Sequence, residues 1–177
     1  MTEMLVLVDE HDQQVGVGEK MQVHQAGLLH RAFSVFVIRK MDNEFEILLQ
    51  QRKFDKYHCG ALWTNTCCSH PRINEDVVDG AERRLQEEMG IGIKLQLLDS
   101  FTYRAEFSNG LIEHEYDHVL VGHYSGEDIN INPDEVQSFT WISIPTLLAS
   151  LQVQPQLYTP WLLPALGVLQ AHLEKIT

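Results

Sequence analysis

The segment Asn65–Pro71 carries the side chains of this sequence that are best suited to chemistry. It contains two adjacent thiols, Cys67 and Cys68, followed by the imidazole of His70. Because Cys68 and His70 are two residues apart, they point the same way on an extended backbone, and Pro71 disfavours helical geometry at His70. The spacing indicates a thiol and an imidazole facing one site, although a turn with buried small residues would have the same composition.

A second group of reactive side chains lies in residues 111–122, where apolar ends and nearby turn signals indicate a β-strand. His114–His118 matches the H-E-x-x-H pattern of zinc peptidases. That chemistry requires a helix, so we interpret the match as chance. On a strand, Glu113, Glu115 and Asp117 share one face. Close carboxylates repel each other unless a cation or a proton lies between them, so this face predicts a bound cation.

Three histidines could complete a metal site with two of these carboxylates. His24, His30 and His70 would supply three nitrogens, and Glu113 and Glu115 would supply two oxygens. Such a set suits a six-coordinate Mn²⁺, Zn²⁺ or Mg²⁺ with one position open, and imidazole ligands favour manganese or zinc. The distances along the sequence do not decide whether the five side chains meet.

Size, charge and cysteine content restrict the class of protein. The chain has 177 residues, 44% of them hydrophobic, which predicts one soluble domain with a real core. Its net charge of −12 argues against a nucleic-acid or anionic-membrane partner. No long apolar run or signal peptide is evident. Three cysteines, two of them adjacent, do not form a disulfide framework, so a reducing cytoplasm is expected.

The hydrophobic pattern predicts one α/β unit. Expected strands cover residues 4–9, 15–21, 32–39, 45–51, 94–99, 101–107, 111–122 and 136–142. Expected helices cover residues 75–89, a short segment opened by Ser143, and residues 161–176. Residues 25–29 are expected to form a loop between His24 and His30. Asn74 is the expected N-cap of the first helix.

Cationic side chains occur at two places that suit a phosphate group. Arg52, Lys53 and Lys56 form the densest basic cluster, and Arg84 lies one helical turn before Glu88. Both arrangements are also typical of solvated surfaces, a basic loop in the first case and a salt-bridged helix face in the second. The pattern alone leaves the two alternatives open.

The motifs together resemble the type 1 isopentenyl-diphosphate Δ-isomerases of the Nudix superfamily, over nearly the whole chain. The segments that carry the resemblance most specifically are Leu29–Ser34, Asn65–Pro71, Glu113–Glu115 and Pro160–Trp161. The resemblance implies a Nudix-type αβα sandwich, α+β in class, with mixed β-sheets flanked by helices in a single domain over residues 1–177. It also implies interconversion of isopentenyl and dimethylallyl diphosphate, with a small diphosphate as the partner and a monomer, or else a dimer, as the working form.

The resemblance also implies roles for individual residues. The implied ligands of Mn²⁺, Zn²⁺ or Mg²⁺ are His24, His30, His70, Glu113 and Glu115. The implied proton-transfer groups are Cys68 and Glu115, aided by Tyr103. Glu88 would be the carboxylate on a Mg²⁺ that arrives with the substrate, and the diphosphate would be held by Lys20, Arg52, Lys56 and Arg84, the diphosphate grip. Cys67 should face away from the site. The implied reaction protonates the alkene to a tertiary carbocation and then removes a proton on the opposite face. This carbocation needs a stabilising group that cannot attack it, and the indole of Trp161 is the candidate.

The sequence departs from the general Nudix box at two positions. Ser69 replaces its first glycine, and Arg83-Arg84 replaces its Arg-Glu pair. Arg84 removes a carboxylate that Nudix hydrolases use and adds a cation suited to phosphate, which disfavours pyrophosphate hydrolysis. Two alternatives stay open: a Nudix pyrophosphohydrolase that depends on Glu87 and Glu88, and a non-catalytic module that binds a metal or ligand.

Overall fold

The computed structural model describes residues 1–177 as nine strands and four α-helices. In chain order these are β1 (Met4–Val8), β2 (Gln14–Glu19), α1 (Lys20–Ala26), β3 (His30–Met41), β4 (Glu44–Arg52), β5 (Trp63–Thr64), β6 (Cys67–Ser69), α2 (Val77–Met89), β7 (Gln96–Glu106), β8 (Ile112–His123), β9 (Val136–Ser143), α3 (Ile144–Val153) and α4 (Leu162–Ile176), with a 3₁₀ turn at Pro155–Leu157 before α4. None of these helices has the length and apolarity needed to cross a membrane.

Strand β3 is the centre of one mixed sheet. Along one side it pairs in parallel with β8, from His30 opposite Glu115 to Ile38 opposite His123. Its other side is shared by three partners, all antiparallel: β1 at His30, β6 over residues 33–35 and β4 over residues 38–41. The sheet continues from β8 to β7 and from β4 to β5 and β9. The gap between β1 and β4 is therefore where the short strand β6 carries its cysteines.

The alternation of side chains along β3 divides the core between the two faces of the sheet. Val35 and Val37 pack with α2 residues such as Leu85. Phe36 and Ile38 pack on the opposite face with residues of α3 and α4. Helices cover both faces, which confirms the predicted αβα sandwich with a mixed sheet and a single domain.

The expected start of helix α2 was wrong. Asp76 is the N-cap, with extended backbone and a side chain that accepts a hydrogen bond from the Val78 amide. Asn74 instead has a positive φ of 64° in the turn before the helix, a conformation that asparagine tolerates better than most residues. The expected stop is confirmed, because Gly90 ends the helix in the left-handed conformation.

Two further expectations needed correction. The expected strands at residues 94–99 and 101–107 form one strand, β7, with an irregularity between Leu97 and Asp99. The strand expected to reach Met21 ends at Glu19, whose carboxylate caps α1 by accepting from two backbone amides. His24 therefore lies on a helix rather than beside a long loop. Because α1 spans only seven residues, it has too little hydrophobic periodicity to be recognised from sequence.

Candidate active site

Strands β3, β6 and β8 direct their reactive side chains to the face of the sheet that α4 covers. Glu115 is in register with His30, and Cys68 is in register with Ser34 on the other side of β3. Glu113, Glu115 and Asp117 alternate with more exposed residues on β8, so the predicted carboxylate face is confirmed. The strand geometry also confirms that the H-E-x-x-H match is not a helical zinc motif.

These side chains line a cleft of about 570 Å³ that includes its open mouth. Its lining includes ten residues predicted from the sequence, namely Lys20, Arg52, Lys56, Cys68, His70, Arg84, Glu88, Glu113, Glu115 and Trp161. His24, His30 and Tyr103 do not line it; they lie behind Glu113 and Glu115 and contact them. All the residues that were assigned to the site from the sequence therefore meet in one region.

We call His24, His30, His70, Glu113 and Glu115 the metal cluster. One ligand atom from each of His24, His30, His70 and Glu113 lies within 4.8 Å of the other three. Glu115 joins them through its Oε2, which is 3.3 Å from His70 Nε2. Helix α1, strand β3, the residue after β6 and strand β8 thus each contribute to a group of imidazoles and carboxylates that could hold a divalent metal ion.

The hydrogen bonds of the metal cluster fit a cation. His24 and His30 each donate their Nδ1–H to a backbone carbonyl, of Lys20 at 2.6 Å and of Leu28 at 2.9 Å. Each Nε2 is then an acceptor directed into the cluster, which is the usual arrangement of metal-bound histidines. His30 Nε2 and Glu113 Oε2 are buried without a hydrogen-bond partner. A cation between them would satisfy both.

The surroundings shift the pKa values of the two glutamates in opposite directions. Burial, followed by the charge of Glu113, raises the pKa of Glu115 to about 7. Burial also opposes ionisation of Glu113, but the adjacent imidazoles of His24 and His58 hold its pKa well below the usual range. Tyr103 hydrogen-bonds Glu115 through its hydroxyl. Before any cation binds, the protein therefore favours one charged and one protonated carboxyl group.

The two adjacent cysteines lie in different environments. Cys68 is half-buried and lines the cleft, and burial raises the pKa of its thiol to about 12. Cys67 pairs with Val35, is 0% exposed and belongs to the core beneath α2. The expectation that Cys67 faces away is confirmed, because consecutive side chains on a strand point to opposite faces.

Aromatic side chains form one wall of the cleft. Trp161, at the start of α4, is 3% exposed, and its ring centroid lies 6.1 Å from that of Tyr103. The guanidinium carbon of Arg52 lies 5.4 Å from the Trp161 ring. An indole face beside a buried guanidinium can contact both the hydrocarbon and the anionic part of a small ligand.

Ion pairs hold the cations at the rim of the cleft. We call Lys20, Lys56 and Arg84 the cationic rim. Lys20 contacts Glu3 at 2.7 Å, Lys56 contacts Glu135, and Arg84 contacts Glu88 at 2.5 Å. These charges lie around the cleft, as predicted. Arg84 and Lys56 therefore line the cleft as well as forming ion pairs, and are not only parts of a solvated surface.

Three polar residues of the cleft were missed by sequence reasoning. His58, in the loop between β4 and β5, contacts Glu113, and Ser34 donates to Asp117 at 2.8 Å. Gln50 donates to Glu88 at 3.0 Å. The position of Ser34, two residues before a buried Phe36 on a strand that also starts with His30, could have placed it on the same face as His30. No local signal distinguishes His58 from other loop histidines.

Comparison with known proteins places the chain in a family. The NUDIX domain family matches residues 28–162. Isopentenyl-diphosphate Delta-isomerase 2 of Aromatoleum aromaticum is 48% identical over 92% of this chain and 84% of its own length. The Serratia proteamaculans isopentenyl-diphosphate Delta-isomerase is 46% identical over 97% of this chain and 94% of its own length. The chain belongs to the isopentenyl-diphosphate Delta-isomerases of the Nudix family.

Solved structures support the fold independently of close sequence similarity. A Deinococcus radiodurans protein, DR0079, superposes with a TM-score of 0.65 at 18% identity, covering 86% of this chain and 90% of its own. The NUDIX domain of Shewanella oneidensis NrtR superposes with a TM-score of 0.62 at 15% identity, covering 82% of this chain and 87% of its own. These similarities concern the fold alone.

The protein is an isomerase that interconverts isopentenyl and dimethylallyl diphosphate, which is a step of isoprenoid biosynthesis. Its substrate is a small diphosphate. The alternatives of a pyrophosphohydrolase and of a non-catalytic binding module are therefore set aside.

Proposed function

We propose that Cys68 and Glu115 are the two proton-transfer groups of this isomerisation. The two diphosphates differ in the position of one C=C bond and one proton. No carbonyl acidifies the hydrogen that is lost, so the alkene is protonated first, which gives a tertiary carbocation, and a proton is then lost from a different carbon. The reaction needs an acid and a base on opposite sides of the carbon chain, and the two groups exchange roles in the reverse direction.

One observation carries this proposal: Cys68 and Glu115 line the same cleft from opposite sides of strand β3. A pKa of about 12 keeps the Cys68 thiol protonated at neutral pH. Without a cation, burial and the charge of Glu113 raise the pKa of Glu115 to about 7. A bound cation would favour its carboxylate form, which can accept a proton. Tyr103 hydrogen-bonds Glu115 and so orients its carboxyl group.

Trp161 stabilises the carbocation in this mechanism. Its indole face can stabilise a desolvated cation by roughly 2 kcal/mol or more without attacking it. Lys20, Arg52, Lys56 and Arg84 bind the diphosphate, which holds the alkene beneath the indole. Arg84 replaces a carboxylate of the general Nudix box and favours retention of the diphosphate over its cleavage.

Metal ions act at two places in the proposal. The metal cluster holds Mn²⁺, Zn²⁺ or Mg²⁺, with His24, His30, His70, Glu113 and Glu115 as ligands. A bound cation there would supply positive charge that neutralises the paired carboxylates. Glu88 would hold a Mg²⁺ that enters with the diphosphate. We further propose that the enzyme acts in the cytoplasm, as a monomer or a dimer, without nucleic-acid or membrane partners.

Deuterium incorporation tests the proton-transfer assignment. In D₂O with isopentenyl diphosphate and Mg²⁺, the unmutated enzyme should place deuterium in the methyl group that alkene protonation creates. Cys68→Ala should bind the substrate with similar affinity and form no dimethylallyl diphosphate. Full activity of Cys68→Ala would refute the role of the thiol. Rapid release of phosphate without isomerisation would instead indicate hydrolase chemistry.

A further inference from the structure

His58 is a buried histidine for which the mechanism above has no role. It is 7% exposed and lies in the loop between β4 and β5. Its Nε2 is 2.5 Å from Oε1 of Glu113, while its Nδ1 is buried without a hydrogen-bond partner. A charged carboxylate can only accept hydrogen bonds, so Nε2 carries the hydrogen and donates it to Glu113.

This tautomer is opposite to that of two histidines in the metal cluster. His24 and His30 donate from Nδ1 to backbone carbonyls and direct Nε2 towards the cluster. His58 directs an N–H at Glu113, and it is absent from the set of ligand atoms that lie within 4.8 Å of one another. His24 Nε2 also lies 2.6 Å from Oε1 of Glu113, but its hydrogen is on Nδ1 and is donated to the Lys20 carbonyl. Of the two imidazoles beside Oε1, His58 is therefore the hydrogen-bond donor, and His24 presents an acceptor nitrogen that suits a cation.

We propose that His58 is a positioning residue that holds Oε1 of Glu113 and thereby turns Oε2 towards the metal site. Oε2 has no hydrogen-bond partner and lies 3.9 Å from His30 Nε2. Hydrogen bonds to the second oxygen of a ligating carboxylate fix its orientation and increase metal affinity, and their loss typically costs 10–100-fold. This inference rests on the metal cluster of the proposed function.

Aromatic packing holds the His58 ring in the orientation that this role requires. The ring stacks on Phe107 at a centroid distance of 4.8 Å and an angle of 13°. Its edge faces Trp161 at 6.1 Å. The His58 carbonyl also accepts a hydrogen bond from Arg52 at 3.4 Å. Tyr57 adds a third aromatic contact, with its ring centroid 4.3 Å away. A ring packed in this way on a tethered backbone loses little rotational freedom when it donates to Glu113.

Two substitutions of His58 distinguish the contribution of its N–H donor from that of its stacked ring. His58→Phe keeps the stacking on Phe107 and removes the N–H, whereas His58→Gln keeps an N–H donor and removes the ring. We would prepare each full-length chain without metal and measure Zn²⁺ affinity by competition with a chromogenic chelator. His58→Phe should raise the Kd by about 10–100-fold, and His58→Gln should stay much closer to the unmutated protein. His123→Phe, at an exposed histidine on β8, should not change the Kd.

The outcomes distinguish this inference from its alternatives. Equal Kd values for His58→Phe and the unmutated protein would overturn it, as would equal losses in His58→Phe and His58→Gln. If His58→Phe does not fold, His58→Leu provides the same test. X-ray absorption that counts four imidazoles around the Zn²⁺, rather than three, would make His58 a ligand and contradict the proposal. A raised KM for isopentenyl diphosphate with unchanged Zn²⁺ affinity would assign His58 to substrate binding instead. If the unmutated protein binds none of Zn²⁺, Mn²⁺ and Mg²⁺ at this site, the metal cluster itself is wrong.

Discussion

The metal cluster and the cationic rim lie in one cleft but satisfy their charges in different ways. In the metal cluster, His30 Nε2 and Glu113 Oε2 are buried and have no hydrogen-bond partner. At the rim, each cation already has a carboxylate, such as Glu135 for Lys56. A buried polar atom without a partner is costly, so the cluster gains from a cation. The cations of the rim must leave their carboxylate partners to bind a phosphate, so each gains less from the diphosphate than the metal cluster gains from a cation.

Loss of the thiol between these two regions should have the largest effect on turnover. Cys68→Ala should lower kcat by at least about 10²–10⁴-fold, because it removes one of two proton-transfer groups. Substrate affinity should change little, because the diphosphate contacts lie at the rim. Stopped-assay product analysis and isothermal titration would measure the two quantities. Cys67→Ala is the matched control: it should stay substantially active and lose about 1 kcal/mol of stability from the core.

Removal of one imidazole should show that the metal cluster acts as a unit. His70→Ala should lose bound metal and nearly all turnover, more than about 100-fold, because a ligand is removed from a set that is otherwise complete. Elemental analysis of the purified protein, with circular dichroism to verify folding, would measure this. His123→Ala serves as the control. An inactive, folded His70→Ala protein with its full metal content would exclude His70 from the site.

Neutralising the cations of the grip should have an intermediate effect. Arg52→Gln and Lys56→Gln should each lower kcat/KM by about tenfold or more, since a charge-assisted hydrogen bond contributes about 1.5–3 kcal/mol. Metal content should stay unchanged, which separates the rim from the metal cluster. Steady-state kinetics with isopentenyl diphosphate provides the measurement. If both variants have unchanged kinetics, the basic cluster is a solvated loop.

The smallest effect on kinetics is expected when the carboxylate that pairs with Lys56 at the rim is neutralised. Glu135 contacts Lys56 and lies 3.6 Å from Arg84, so Glu135→Gln removes an anion that competes with the diphosphate. The KM should fall by no more than about fivefold, because partly exposed ion pairs contribute about 0–1 kcal/mol. Asp128→Asn, at an exposed position between β8 and β9, is the control. A rise in KM would mean that Glu135 orients Lys56 for the substrate rather than competing with it.

Local patterns were sufficient for much of the fold and of the site. Period-two alternation on β8 predicted that Glu113 and Glu115 share a buried face, and the same rule separated Cys67 from Cys68. Resemblance to a family supplied His24 and His30, whose roles no spacing could define. The short helix α1 escaped prediction because its seven residues carry little periodicity, and the N-cap of α2 was misplaced because Asn74 and Asp76 are equally good capping residues.

The sequence by itself determined which side chains share a strand face, because the backbone geometry of a strand is local and has a fixed period. It also determined the motifs that identify the family. Only the tertiary structure decided that a parallel pairing of β3 with β8 sets His30 beside Glu115, and that a loop after β4 brings His58 to Glu113. These contacts join residues 85 and 55 positions apart. They depend on strand pairing and on packing against Phe107 and Trp161, which no local pattern encodes.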